Sequence, residues 1–115
     1  MLPSDVLFGF DSAQLSPETQ NTLTDLAQQI RAAHVTGQIQ VNGCTDNLGS
    51  SAHGLELSGH QALAVAQALQ AALSDSAVTL LPQGFGDADP IADNATEQGR
   101  TRNRRVTIVL PVTTP

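Results

Sequence analysis

The apolar period of this chain changes from 2 to about 3.6 across a single polar turn. Ile39, Val41 and Gly43 alternate with Gln40, Asn42 and Cys44, the spacing of a strand with one covered face. Beyond Thr45-Asp46-Asn47-Leu48-Gly49-Ser50, Leu57, Val65, Leu69 and Leu73 recur along one stripe of a helix that starts after Ser50 or Ser51 and runs to about Leu73. A half-covered strand leading into a long amphipathic helix must bury the two apolar faces together, which commits the chain to a layered α/β arrangement. Gly54 lies in the first turns of that helix, where it costs roughly 1 kcal/mol relative to alanine.

The same reading extends in both directions. Val6-Leu7-Phe8-Gly9-Phe10 reads as a short strand that runs into the polar turn Asp11-Ser12-Ala13-Gln14. Ser16 is placed to cap a helix with Pro17 at its first position and Glu18 at the positive end of the dipole. Leu23, Leu26, Ala27, Ile30 and Ala33 follow at helical spacing, and Gly37 offers a stop. Val78 to Gln83 predicts a third strand, with Pro82 arguing for an edge or a strand end, and Gly84 to Pro90 reads as loop. Thr96 would cap a short helix ending near Asn103, and Val106, Ile108 and Leu110 alternate with Thr107 and Val109 in a last strand.

The order β-α-β-α-β-α-β predicts a small α/β sandwich with helices on one face of a four-stranded mixed sheet. At 115 residues the chain has room for one core, so a single domain is expected over 1–115, with its core at about 6–110 and a frayed tail at 111–115. Phe8, Phe10 and Phe85 are the only aromatics, which leaves Ala, Val, Leu and Ile to fill the interior.

Charge narrows the choice of partner. Eleven acids face five arginines and no lysine, a net charge of −6, so the average field repels nucleic acid and anionic lipid. Four of the five arginines fall within Arg100 to Arg105, a local cationic strip that suits a binding wall or an ion-pair network. No run approaches the apolar length of a membrane helix, and Met1 to Asp5 has no signal-like pattern, so an exported protein would carry its signal or anchor outside this chain.

Neither a metal site nor a catalytic centre is indicated. His53 and His60 are seven positions apart, two helical turns, too far for one metal without long reach, and Cys44 reads as a small filler at a strand end. Ser58 and His60 stand at i and i+2, whose side chains diverge on a helix, and no Gly-x-Ser-x-Gly turn is present.

Three segments together carry a family resemblance: Phe8-x-Phe10-Asp11; Gly43-x-Thr45-Asp46-Asn47-x-Gly49-Ser50 with Leu57-Ser58; and Gly84-Phe85-Gly86-x-x-x-Pro90-Ile91-Ala92-x-Asn94-x-Thr96-x-x-Gly99-Arg100-x-x-Asn103-Arg104-Arg105-Val106. In these the chain resembles the OmpA-like C-terminal domain, the peptidoglycan-associated module. The resemblance implies an exported, extracytoplasmic domain of the cell envelope, with no cofactor, that holds the diaminopimelate residue of the peptidoglycan stem peptide.

By that resemblance Asp46 receives the ligand's ammonium and Arg104 lines the same pocket. The amides of Asn47 and Leu48 stand where a carboxylate would meet the helix entrance. The family's arginine four residues after the leucine of Leu-Ser falls at Gln61, and its asparagine three residues before that leucine falls at Gly54. A neutral amide at 61 weakens a bidentate carboxylate contact on the order of tenfold or more. It also suits an amidated ligand, because amide-to-amide pairing satisfies donor and acceptor together.

Each residue has a plainer use as well. Asp46 is also placed to close an Asx turn onto Leu48, Gln61 to sit as a polar residue on the helix rim, and Arg100, Arg104 and Arg105 to pair with Asp87, Asp89 or Asp93. The alternative to wall binding is a scaffold of the same fold that has lost the ligand and meets envelope proteins or further copies of itself.

Overall fold

The computed structural model describes residues 2–8, 12–73 and 77–111. Along the chain they form β1 (Leu2–Pro3), α1 (Ser4–Phe8), α2 (Pro17–Ala32), β2 (Gly37–Cys44), α3 (Ser51–Ala72), β3 (Val78–Gly86), α4 (Glu97–Asn103) and β4 (Arg105–Val109). Strands β2, β3 and β4 make a mixed sheet: β2 runs parallel to β3 and antiparallel to β4. Beyond β4, among the described residues, only the two residues of β1 pair, Leu2 with Val106 and Pro3 with Arg105.

One face of the sheet is covered. Ile39 and Val41 of β2 are fully buried with Val106 of β4, while Gln38 and Gln40 stay exposed on the opposite side. Helix α3 lies over β2 and β3 and presents Ala62, Val65, Ala66 and Leu69, and α2 packs beside it through Leu23, Ala27 and Ile30. The approach of α3 to the sheet is close because two strand glycines allow it. A Cβ on Gly43 would overlap Ser58 O, and one on Gly84 would overlap Gly59 N.

Two expected helix starts are confirmed in their chemistry. Ser16 caps α2 by accepting the Thr19 amide at 3.2 Å, with Pro17 in the first turn, and Thr96 caps α4 by accepting the Gly99 amide at 3.0 Å. Ser50 caps α3 through the His53 amide at 3.0 Å.

Three expectations are corrected. Val6-Leu7-Phe8 is not a strand but part of α1, while Gly9, Phe10 and Asp11 lie outside the described residues. The reason is that Leu7 and Phe8 are both buried; on a sheet covered on one face, adjacent residues point to opposite sides and one of them would meet water. Only a helical turn directs both inward, and Leu7 O then accepts from Ser16 N and Thr19 Oγ1. The expected fourth full strand is thus reduced to the β1 pairing.

The stop of α2 is His34, not Gly37. His34 takes a left-handed φ of 54°, and the amides of His34 and Val35 return to Arg31 O and Ile30 O. This is a Schellman-type end, favoured here because Val35 tucks against the core beside Ile30. Gly37, at φ 100°, instead opens β2. Finally, β3 continues through Gly84-Phe85 to Gly86, three residues beyond the expected end. A bulge shifts the register so that Cys44 pairs with Gly86. Pro82 sits on this edge strand, where a missing donor is tolerated.

Candidate functional site

The register of β2 and β4 builds the site. Cys44 pairs with Arg105, so the residues just beyond, Thr45-Asp46 on one side and Arg104 on the other, emerge together at the end of the sheet. Asp46 then closes an Asx turn, its Oδ1 accepting the Leu48 amide at 3.0 Å, while its Oδ2 accepts from Arg104 Nη1 at 2.5 Å. Both side chains are well shielded, 10% exposed for Asp46 and 15% for Arg104. The plain use of Asp46 and the functional one coexist: the two carboxylate oxygens divide between turn and guanidinium.

Arg104 is held from a second side. Its Nη2 donates to Glu97 Oε1 and to Thr101 Oγ1, each at 3.0 Å. Glu97 in turn takes Arg100 through its other oxygen, at 3.2 Å from Nε and 3.0 Å from Nη2. These hydrogen bonds, from Arg104 foremost and then Arg100, hold the Glu97 carboxyl below the usual glutamate range. Sequence reasoning missed Glu97. Its signal was the i,i+3 spacing to Arg100 and the position at the first turn of α4, where a carboxylate suits the dipole.

The rest of the Gly-Arg-x-x-Asn-Arg-Arg-Val segment fixes the loop that precedes α4. Asn103 is fully buried; its Oδ1 accepts the amides of Ile91 at 2.8 Å and Ala92 at 3.0 Å, and its Nδ2 donates to Ala92 O and Asn94 Oδ1. Gly99 lets α4 touch that loop, since a Cβ there would overlap Asp93 O. Arg105 is buried and donates to Asp89 O at 2.9 Å and Asn103 O at 3.2 Å, with the Asp89 carboxylate 3.7 Å away. Arg100 does not take an aspartate: it pairs with Glu97 and donates to Asn94 O at 3.0 Å. Gly99, Arg100, Asn103, Arg104 and Arg105 thus have five separate tasks, and among them Arg104 is the one that pairs with Asp46.

Gln61 stands apart from this cluster. It is 3% exposed, its Nε2 donates to Ser12 O at 3.0 Å, and its Oε1 is buried without a hydrogen-bond partner. The donor faces a carbonyl, which fixes the orientation of the amide. It is therefore a buried tie between α3 and the segment before α2, not a rim residue, with one N–H committed to Ser12 O and Oε1 left as an unpaired acceptor. At Gly54 an added Cβ would stand 2.9 Å from Thr45 Oγ1, so a larger side chain there requires the Thr45 side chain to turn. Leu48 is exposed, with its amide committed inside the turn, and the Asn47 amide has no partner among the described residues.

Among the described residues Ser58 and His60 form no catalytic pairing. Ser58 is fully buried, donating to Leu55 O at 3.0 Å and accepting from Gly86 N at 2.9 Å, so its hydroxyl stitches α3 to β3. Cys44 is buried as well, and burial pushes its thiol up. Among the described residues no group of three His, Cys, Asp or Glu side chains is arranged to hold a metal, and no helix is long and apolar enough to cross a membrane.

Residues 7–104 match the sequence profile of the OmpA family. The outer-membrane lipoprotein YfiB of Pseudomonas aeruginosa is 36% identical over 110 residues, covering 96% of this chain and 64% of that protein. The peptidoglycan-binding protein ArfA of Mycobacterium tuberculosis is 38% identical over 107 residues, 91% of this chain and 32% of its own length. Among solved structures, the cell wall anchor of the T6SS from Pseudomonas aeruginosa superposes with a TM-score of 0.78 at 36% identity, covering 92% of this chain and 75% of that one. The chain spans less than two thirds of the length of the curated relatives named here.

Proposed function

The chain belongs to the OmpA family, and on that premise we propose that it is a non-catalytic module that tethers a larger envelope protein to peptidoglycan by gripping the diaminopimelate residue of the stem peptide. The observation that carries this reading is the Asp46–Arg104 pair. A carboxylate and a guanidinium side by side, both largely shielded from water, complement an ammonium and a carboxylate on one carbon. In this reading Asp46 takes the ammonium and Arg104 the carboxylate, with the Asn47 amide at the mouth; Leu48 contributes the turn that aims Asp46. Gln61 Oε1 is buried as the domain stands, and it sets the far boundary only once a rearrangement exposes it to the ligand. A carboxamide or amine meets that atom better than a carboxylate, so preference for an amidated ligand rests on a single hydrogen bond. The anchoring role is consistent with the cell wall anchor and the peptidoglycan-binding protein to which the chain is similar.

The test is retention on purified peptidoglycan, with NMR titration of soluble muropeptides in acid and amidated form. Wild type is retained and Asp46→Ala is not; equal retention of both proteins overturns the proposal. Equal affinity for the two ligand forms removes the role of Gln61.

A second reading is favoured by one observation: Asp46 and Arg104 already satisfy each other, and Gln61 is tied to Ser12. On this reading the domain is a scaffold for protein contacts. No retention of wild type, with retention gained by Gln61→Arg, supports it.

A further inference from the structure

We propose that Glu97 is a displaceable stand-in for the ligand's carboxylate: it occupies the outer nitrogen of Arg104 until a ligand carboxylate takes that position, and then remains on Arg100. The inference rests on the wall-binding reading of the Asp46–Arg104 pair and adds a residue to it.

The argument starts from what Arg104 has to offer. Nη1 faces Asp46, and Nη2 faces both Glu97 Oε1 and Thr101 Oγ1. Both N–H groups of Nη2 are engaged, so a carboxylate that seats on that nitrogen replaces a contact already made. Asp46 is a poor candidate to leave, being 10% exposed and anchored by the Leu48 amide. The Thr101 hydroxyl is neutral and also donates to Glu97 O, at 2.9 Å, so it stays with the helix. Glu97 is 67% exposed, and a carboxylate in that setting is well solvated when released.

Glu97 also has somewhere to go. Its two oxygens serve different arginines, Oε1 on Arg104 and Oε2 on Arg100. Rotation about its last side-chain bonds breaks the first contact while the second persists, so the displaced charge remains paired. The arrangement keeps Arg104 aimed at Asp46 and shields it from adventitious anions. A ligand that brings an ammonium for Asp46 as well as a carboxylate for Arg104 gains two contacts while displacing one exposed pair.

The probe is a stem tripeptide ending in diaminopimelate, titrated by NMR into wild type and Glu97→Gln at low ionic strength. Glu97→Gln keeps shape and helix position while removing the competing charge, and it binds tighter by roughly two- to fivefold, the factor an exposed ion pair is worth. In wild type the Glu97 side-chain carboxyl resonance shifts as the tripeptide saturates. Weaker or unchanged binding by Glu97→Gln means that Glu97 only orients Arg104 and overturns the proposal, as does a stationary Glu97 resonance in a wild-type protein that binds. If neither protein binds the tripeptide, the wall-binding reading fails and the displacement role fails with it.

Discussion

Asp46 and Arg104 are 58 positions apart in the chain and meet at 2.5 Å, because the Cys44–Arg105 pairing delivers them to the same end of the sheet. The ion pair is thus a product of strand register. Removing Arg104 leaves the shielded Asp46 carboxylate without its counterion, whereas removing Asp46 leaves Arg104 with the exposed Glu97 as its counterion. Asp46→Ala and Arg104→Ala are each expected to lower unfolding free energy by about 1–3 kcal/mol, below the full cost of a buried pair because the site borders water. The double variant should lose less than the sum. A coupling near zero in a urea-denaturation cycle would show that the pair forms no mutual stabilisation.

Asn103 binds four groups of the loop before α4, two through its oxygen and two through its nitrogen. Asn103→Ala takes the acceptor from the part-buried amides of Ile91 and Ala92, with an expected loss of about 1–3 kcal/mol. Asn103→Asp keeps the acceptor but sets a buried carboxylate oxygen against Ala92 O and Asn94 Oδ1, so it retains more of that stability than Asn103→Ala only at a pH low enough to protonate it. Hydrogen exchange at Ile91 and Ala92 reports the difference directly; equal protection in both variants would contradict the clamp.

Much of this architecture is legible in the sequence where chemistry is local. Ser16 with Pro17, Thr96, and the Ile39–Val41 alternation each signal their structure within a few residues. What was not legible depends on a distant neighbour. Val6 to Phe8 has a strand's composition, yet Leu7 and Phe8 are both drawn inward under α2. Gly84-Phe85-Gly86 reads as loop because glycine is a turn residue, whereas here Gly84 makes room for the Gly59 backbone. The site divides in the same way. Asp46 and Arg104 were visible as motif residues, but the partner that occupies Arg104 from the other side, Glu97, was not, and the burial of Gln61 follows from a contact 49 residues away.

Gly43 tests the close approach of α3. Gly43→Ala places a methyl group on Ser58 O, and backbone on both sides resists movement. The expected loss is about 2–4 kcal/mol, in the range of overpacked cores. Gly59→Ala, on the same helix with open space at its Cβ, should be neutral or stabilising by up to about 1 kcal/mol through helix propensity. Similar melting temperatures for the two variants would count against tight packing at Gly43.

Acid dependence should carry the signature of Glu97. Its carboxyl is held below the usual range by Arg104 and Arg100, so the unfolded chain binds the proton more readily than the folded one. The contribution is present above the unfolded value of about 4.3 and is lost as pH falls through the lowered folded value. Glu97→Gln should therefore flatten the acid limb of the stability profile while leaving the neutral region nearly level. Parallel acid limbs in the two proteins would show that the hydrogen bonds contribute nothing in solution.

Gln61 makes one hydrogen bond and leaves one buried acceptor unpaired, so its two halves oppose each other. Gln61→Met removes both, exchanging the bond to Ser12 O for the relief of an unsatisfied oxygen. The expected change is within about 1 kcal/mol. Gln61→Glu is different in kind, because a carboxylate at a position 3% exposed would face the Ser12 carbonyl with no donor. Burial raises that carboxyl's folded value above its unfolded one. Its neutral form can still donate to Ser12 O, so stability is retained below the unfolded value of about 4.3 and falls as pH rises towards the raised folded value. Thermal melts across pH 4 to 8 check the sign. A Gln61→Glu protein that is most stable at neutral pH would mean that position 61 opens to water, and with it that Oε1 is available to a ligand without rearrangement.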